Sequence, residues 1–173
     1  MNKLIVSPAL LSSNGRPVLS ITPESAGWRY VGFEVYRLNP GEVLSQMTGN
    51  DEVCLVLLSG KADVTAADGS WSDIGHRMNV FEQTPPYSVY VPNDNRFEVK
   101  ANTPLELAVC KAPGLGNHAS RLIAPGEVGV ETRGEGTTQR HIHNILPEQK
   151  PADSLLVVEV FTPQGHWSSY PPH

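Results

Sequence analysis

This sequence predicts an all-β fold of short antiparallel strands, and three observations predict it. Apolar and polar residues alternate in short runs, the pattern of half-buried strands. Fifteen glycines and fifteen prolines fall between those runs rather than inside them. No segment sustains apolar residues at i, i+3 and i+4, so any helix is short. Many short strands punctuated in this way make a sandwich or a barrel.

Taken in order, Val31 to Arg37 alternates with period two and ends at the turn Asn39-Pro40-Gly41. Glu42 to Met47 is a second strand, followed by the turn Thr48-Gly49-Asn50-Asp51. Val53 to Leu58 is apolar on both faces, which suits a strand between a barrel interior and another sheet or subunit. Ser59-Gly60-Lys61 leads into Ala62 to Ala66, and Ala67-Asp68-Gly69 reads as a hairpin turn into Trp71 to Ile74. Ser88 to Val91, Phe97 to Ala101 and Leu105 to Lys111 follow, then a Gly/Pro/Asn-rich connector from Ala112 to Ser120. Strands resume at Val128 to Thr132 and Gln139 to Ile145. The last is Leu155 to Phe161, again apolar on both faces. The connector places a boundary near residue 120, giving a first unit over residues 1–120 and a second over 121–173. The second, about fifty residues, is too short to close a barrel alone.

The bulk numbers exclude several classes. A 39% hydrophobic content over 173 residues is enough for a real core. A net charge of -5 without any Lys/Arg run argues against nucleic acid as a partner. No apolar stretch reaches the ~18 residues of a membrane span, and no signal-like cleavage site follows the start. Cys54 and Cys110 lie inside strands and are expected to be reduced and buried, which points to a cytoplasmic setting.

Gly41 at a strand start, Glu52 on the next strand, Gly60 at the turn and the run Pro86 to Pro92 resemble the two motifs of the cupin superfamily, small antiparallel jelly-roll barrels. In metal-binding cupins those motifs supply a His-x-His pair, a glutamate and a late histidine. Alternate strand residues face one side, so such residues converge on one ion. Here the histidine positions fall near Met47, Gly49 and Val91. The resemblance therefore implies a first barrel that keeps the framework without the metal, with Glu52 as a polar rim residue.

A closer resemblance is carried by Ala152 to Val160 and by Pro163-x-Gly165-x-Trp167-Ser168-Ser169-Tyr170-Pro171-Pro172-His173. Phe81-Glu82, Pro85-Pro86, Tyr90-Val91-Pro92, Arg140 and Asn144-Ile145-Leu146 add to it. Together they resemble the 5-deoxy-glucuronate isomerases of inositol catabolism, which are bicupins. The resemblance implies an aldose–ketose isomerase acting on a small-molecule sugar acid. Separately, the doubly apolar strands expose surface that further chain would cover, which favours homo-oligomers. The resemblance also implies a second barrel that binds a divalent metal, zinc or manganese. His173 matches the first metal ligand; the second His, a Glu and a late His are expected beyond it. The chain therefore reads as an amino-terminal part that binds no metal by itself.

Other residues weigh into the site. Arg140 can hold a sugar-acid carboxylate through its planar fork, or serve a structural salt bridge. Trp167 and Tyr170 offer a flat wall with a polar edge for a sugar, or packing at the barrel mouth. His141-Ile142-His143 with Glu148 imitates the cupin ligand spacing, against a partly exposed strand whose histidines are available for hydrogen bonding. His76, His118 and His166 read as surface or loop residues. Three alternatives stand beside the isomerase: a metal-free cupin acting as a binding or oligomerisation module, a cupin enzyme built on His141, His143 and Glu148, and the related 4-deoxy-uronate isomerases of pectin breakdown. The catalytic base is not assigned.

Overall fold

The computed structural model describes residues 5–9, 15–169 and 171. Thirteen strands and one short helix lie among them: β1 Leu19–Ile21, α1 Pro23–Ala26, β2 Gly32–Leu38, β3 Val43–Met47, β4 Asp51–Ser59, β5 Ala62–Ala66, β6 Gly69–Ile74, β7 Ser88–Val91, β8 Arg96–Ala101, β9 Leu105–Pro113, β10 Arg121–Ile123, β11 Gly129–Arg133, β12 Arg140–Leu146 and β13 Val157–Phe161. They form three antiparallel sheets. The first has the order β1-β2-β9-β4-β7-β10, the second β3-β8-β5-β6, and the third β11-β12-β13. The fold is all-β, as the alternation predicts, with a cupin-like barrel made by the first two sheets.

Side-chain parity on β4 organises the whole. Val53, Leu55 and Leu57 face the barrel interior, where they meet Tyr36, Leu44, Val64, Val89, Phe97, Val99 and Leu107. Cys54 and Val56 face the other way and join Tyr90, Ala108, Ile145, Leu146, Leu155 and Val157. One strand therefore serves two cores, as its doubly apolar sequence predicts. Each fully buried Leu, Val or Phe contributes about 1.5–3 kcal/mol relative to exposure. Cys54 and Cys110 are opposite each other on β4 and β9. Both thiols are free. Burial pushes the Cys110 thiol up to about 12 and that of Cys54 well above its ordinary value.

The elements missing from the sequence reading are β1, α1 and β10, each of three or four residues. The signal for α1 was present. Thr22 caps it by accepting from the Ser25 N–H (3.2 Å), Ser25 Oγ accepts from the Thr22 N–H (2.9 Å), and Pro23 and Gly27 bracket it. Strand β13 is only half as buried as its composition suggests. Leu155 and Val157 are buried, whereas Leu156, Val158 and Val160 are exposed.

Gly60 shows why the turn after β4 needs glycine. Its φ is +95°, and a Cβ would lie 2.2 Å from the Pro104 carbonyl oxygen. Gly41 also has a positive φ, +85°, but a Cβ there would meet nothing within 4 Å. Gly41→Ala should cost only the left-handed penalty, roughly 1–2 kcal/mol. Gly60→Ala should cost clearly more, because the backbone of the Thr103–Leu105 turn must move as well. Urea denaturation of the two variants checks the order; equal losses would mean that the close approach carries no weight.

Candidate functional site

The third sheet carries the described residues that the sequence nominates. In its register Ile142 lies opposite Val160 and Asn144 opposite Val158, while His141 lies opposite Phe161 and His143 opposite Glu159. Arg140, Ile142 and Asn144 therefore share a face with Val158 and Val160. His141 and His143 share the opposite face.

The histidine face is occupied by an ion pair. Glu159 accepts from both terminal nitrogens of Arg77, at 2.9 and 2.6 Å, and lies 2.9 Å from His143 Nδ1. Arg77 also donates Nε–H to the Leu58 carbonyl and Nη1–H to the Thr84 carbonyl, each at 2.8 Å. Its side chain is 1% exposed and that of His143 3%. A guanidinium in this position repels a cation, and His141 turns to the Thr132 hydroxyl at 3.0 Å. Glu148 is exposed in the turn after β12. The grouping of His141, His143 and Glu148 as a metal site is thus not assembled. Nor does His143 sit on a partly exposed strand face: it is buried. No three His, Cys, Asp or Glu side chains converge as a metal site among the described residues.

Glu52 departs further from its expected role. It is fully buried, not on a rim. Its position on β4 has the parity of Cys54, so the carboxylate leaves the barrel interior and enters the seam with the third sheet. Oε2 accepts from the Tyr90 hydroxyl at 2.6 Å and from the Asp153 N–H at 2.8 Å. Oε1 accepts from the Ser154 N–H at 2.6 Å and the Leu155 N–H at 2.5 Å. Burial, and next the hydrogen bond to Glu52, push the Tyr90 phenol far above its ordinary range. Arg121 lies 4.4 Å from the centre of the Tyr90 ring and donates to the Pro151 carbonyl. Asp153 in turn accepts from the Leu115 N–H at 2.6 Å and the Asn117 amide at 2.9 Å.

The opposite face of the sheet is partly open: Val158 and Val160 are exposed there, whereas Ile142 is buried. Arg140 donates to the Thr138 carbonyl at 3.0 Å, and its cross-strand partner is Arg133. The expected structural salt bridge at Arg140 is not formed among the described residues; it is Arg133 that pairs, with Glu131, at 2.6 Å. Asn144 also donates to Glu131, at 2.7 Å, and these two donors hold the Glu131 carboxyl below its ordinary value. The Gly165–Ser169 stretch runs alongside. Trp167 donates its N–H to the Thr137 carbonyl at 2.9 Å, and His166 Nδ1 lies 2.8 Å from the Gln139 carbonyl. Arg140 and the Trp167-Ser168-Ser169 run are thereby brought to the same end of β12, with the Trp167 side chain half exposed. Tyr170 and His173 lie outside the described residues.

Sequence reasoning missed Arg77 altogether. The available signal was Glu159, a lone charge inside an apolar strand, which demands a partner once the strand is buried. The matching signal at Glu52 was its place at the head of a doubly apolar strand.

Two measurements test this seam. Glu52→Gln places an amide group against four donors and should lower stability by about 3 kcal/mol or more, read by urea denaturation. The Leu115 N–H, with Asn117 and His118 and against the opposing effect of burial, holds the Asp153 carboxyl below the usual carboxylate range. A lowered folded-state value adds stability above the unfolded value of about 3.9 and loses it as pH falls through the folded one. Thermal melts of Asp153→Asn should therefore be less pH-dependent on the acid side than those of the parent. Parallel acid limbs would remove Asp153 from the account.

Comparison with known proteins matches this architecture to one family. The model of the KduI/IolB family matches residues 4–173. A 5-deoxy-glucuronate isomerase of Geobacillus thermodenitrificans is 60% identical over 173 residues, covering 100% of this chain and 63% of its own length. One of Geobacillus kaustophilus is 57% identical over the same length, covering 62% of itself. The crystal structure of an IolB-like protein from Salmonella typhimurium superposes with a TM-score of 0.88 at 52% identity, covering 92% of this chain and 61% of that one. The chain spans less than two thirds of the length of these relatives. With the match running through both the barrel and the third sheet, the chain belongs to the KduI/IolB family.

Proposed function

We propose that this chain is the amino-terminal part of a 5-deoxy-glucuronate isomerase, converting an aldose sugar acid to a ketose. The observation that carries the reading is the open face of the third sheet. There Arg140 faces away from the filled barrel, and the Gly165–Ser169 stretch meets the chain just before it, at Thr137 and Gln139. Residues 1–120 would be a first barrel without metal ligands, and residues 121–173 the opening strands of a second. The relatives' names favour 5-deoxy-glucuronate over the 4-deoxy-uronate of pectin breakdown.

In this reading Arg140 pairs the substrate carboxylate through two parallel N–H bonds and so fixes which end of the sugar enters. Tyr170 offers its hydroxyl and ring to the sugar. His173 is the first ligand of a divalent metal, zinc or manganese. When bound, that ion supplies Lewis-acid stabilisation of negative charge on the substrate oxygens. The described residues form no such site, so no step is assigned to it here. The half-exposed Val158 and Val160 belong to a face that further chain or a second copy would cover, consistent with homo-oligomers. No described helix is long and apolar enough to cross a membrane. A cytoplasmic metabolic enzyme is the setting proposed.

The test compares this chain with one extended to the relatives' length. Elemental analysis should find stoichiometric divalent metal only in the longer chain, and aldose–ketose turnover should appear with it. Arg140→Ala in the longer chain should raise KM for the sugar acid roughly tenfold or more. Stoichiometric metal in the 173-residue chain, or an unchanged KM, would overturn the assignment.

A further inference from the structure

The first barrel has a feature that this function does not use. Its interior is filled with apolar side chains up to Tyr36, and above Tyr36 a polar layer closes it. Tyr36 donates its hydroxyl to Glu34 at 3.0 Å and accepts from the Gln46 amide at 2.6 Å. Lys111 Nζ lies 2.9 Å from Glu34 and 3.4 Å from the Gln46 oxygen. Outside this layer opens a groove of about 350 Å³. Glu34, Asp51 and Lys111 line its floor; Thr22, Glu24, Arg29 and Tyr30, from the segment around α1, form its wall. That size suits a single small molecule.

The lining chemistry selects the ligand class. The Asp51 carboxylate makes no hydrogen bond among the described residues, although burial raises its pKa. Glu34 is 15% exposed, and only one of its two oxygens is engaged among them. Both carboxylates therefore have acceptor capacity facing the groove. The exposed Arg29 guanidinium lies over one face of the half-exposed Tyr30 ring, 5.5 Å from its centre, so the wall combines aromatic surface with N–H donors. Three carboxylates against two cations, one of them already held by Glu34, disfavour an anionic ligand. Arg29 and Lys111 equally disfavour a bare cation. A neutral ligand with many hydroxyls fits: its O–H groups donate to Asp51 and Glu34, and its C–H face lies on Tyr30.

We infer that the mouth of the first barrel, floored by Glu34, Asp51 and Lys111 and walled by Arg29 and Tyr30, is a binding site for a neutral polyhydroxylated small molecule of sugar size. It is separate from the proposed isomerase site, which lies on the third sheet, and does not depend on that reading.

Amide chemical shifts of this chain, titrated with glucose, glucuronate and calcium to tens of millimolar, test it. Glucose should move the amides of Gly32, Asp51 and Lys111 saturably. Glucuronate, the same ring bearing a carboxylate, should bind more weakly. Asp51→Asn should weaken glucose binding by about tenfold without lowering the unfolding midpoint, because a single charge-assisted bond is lost. Arg29→Ala, on an exposed wall, should weaken it as well. The inference is overturned if glucose produces no saturable shift, if glucuronate or calcium binds this groove more tightly than glucose does, or if both variants bind glucose as the parent does.

Discussion

The Glu52 carboxylate is the interaction on which the arrangement of the sheets depends. A fully buried carboxylate is costly unless its lone pairs are met by donors, and here four donors meet it. Three of them are consecutive backbone N–H groups of Asp153, Ser154 and Leu155. Those groups lie in the connection to β13 and have no ladder partner of their own. One side chain thus satisfies a stretch of irregular backbone that could not otherwise be buried. The Ser154 hydroxyl closes the same seam by donating to the Pro113 carbonyl. The consequence reaches the proposed site: the start of β13, the strand that pairs with β12, is held by an anchor on β4.

A second anchor works at the other end of the seam. Arg77 reaches from the loop after β6 to Glu159 on β13, and every described bond of its guanidinium ends on a carboxylate or carbonyl oxygen. A buried ion pair contributes little net stability against an apolar pair of similar volume, but losing one partner costs about 3–5 kcal/mol. Its effect is therefore directional. It makes the slipped register of β13 expensive, since a one-residue shift would carry Glu159 to the opposite face and strand Arg77. Together Glu52 and Arg77 fix a three-stranded sheet whose apolar contact with the barrel would by itself tolerate sliding.

How far this was legible in the sequence follows from what each signal encodes. The doubly apolar β4 announced two cores because alternation reports burial on each face directly. The Trp-Ser-Ser-Tyr string and Arg140 were legible as a family signature, and the structure brings Trp167 and Arg140 to one end of β12. Arg77, in a loop 82 residues before Glu159, was not legible, because periodicity carries no information about which buried charge pairs with which. Glu52 was misread for a related reason: the cupin motif assigns its glutamate to the barrel interior, whereas the parity of Val53 and Leu55 sends Glu52 outward. His141 and His143 were correctly placed on one face, but spacing alone could not show that the face was already taken by Glu159.

The same parity explains why chemistry is absent from the barrel centre. With Val53, Leu55 and Leu57 inward on β4 and Leu105, Leu107 and Val109 inward on β9, the interior volume is filled by side chains in contact. A metal or ligand site there would require replacing several of them at once by smaller or polar groups, each change leaving a cavity or an unmet polar atom. Where the inward rows reach solvent they turn polar, at Glu34, the Tyr36 hydroxyl, Gln46, Asp51 and Lys111. With the core filled, the polar chemistry proposed for the described residues lies at the barrel mouth and on the outer face of the third sheet. Strands hold Glu34, Asp51, Lys111 and Arg140 in place at these two sites, while Arg29, Tyr30 and the Gly165–Ser169 stretch reach them from loops.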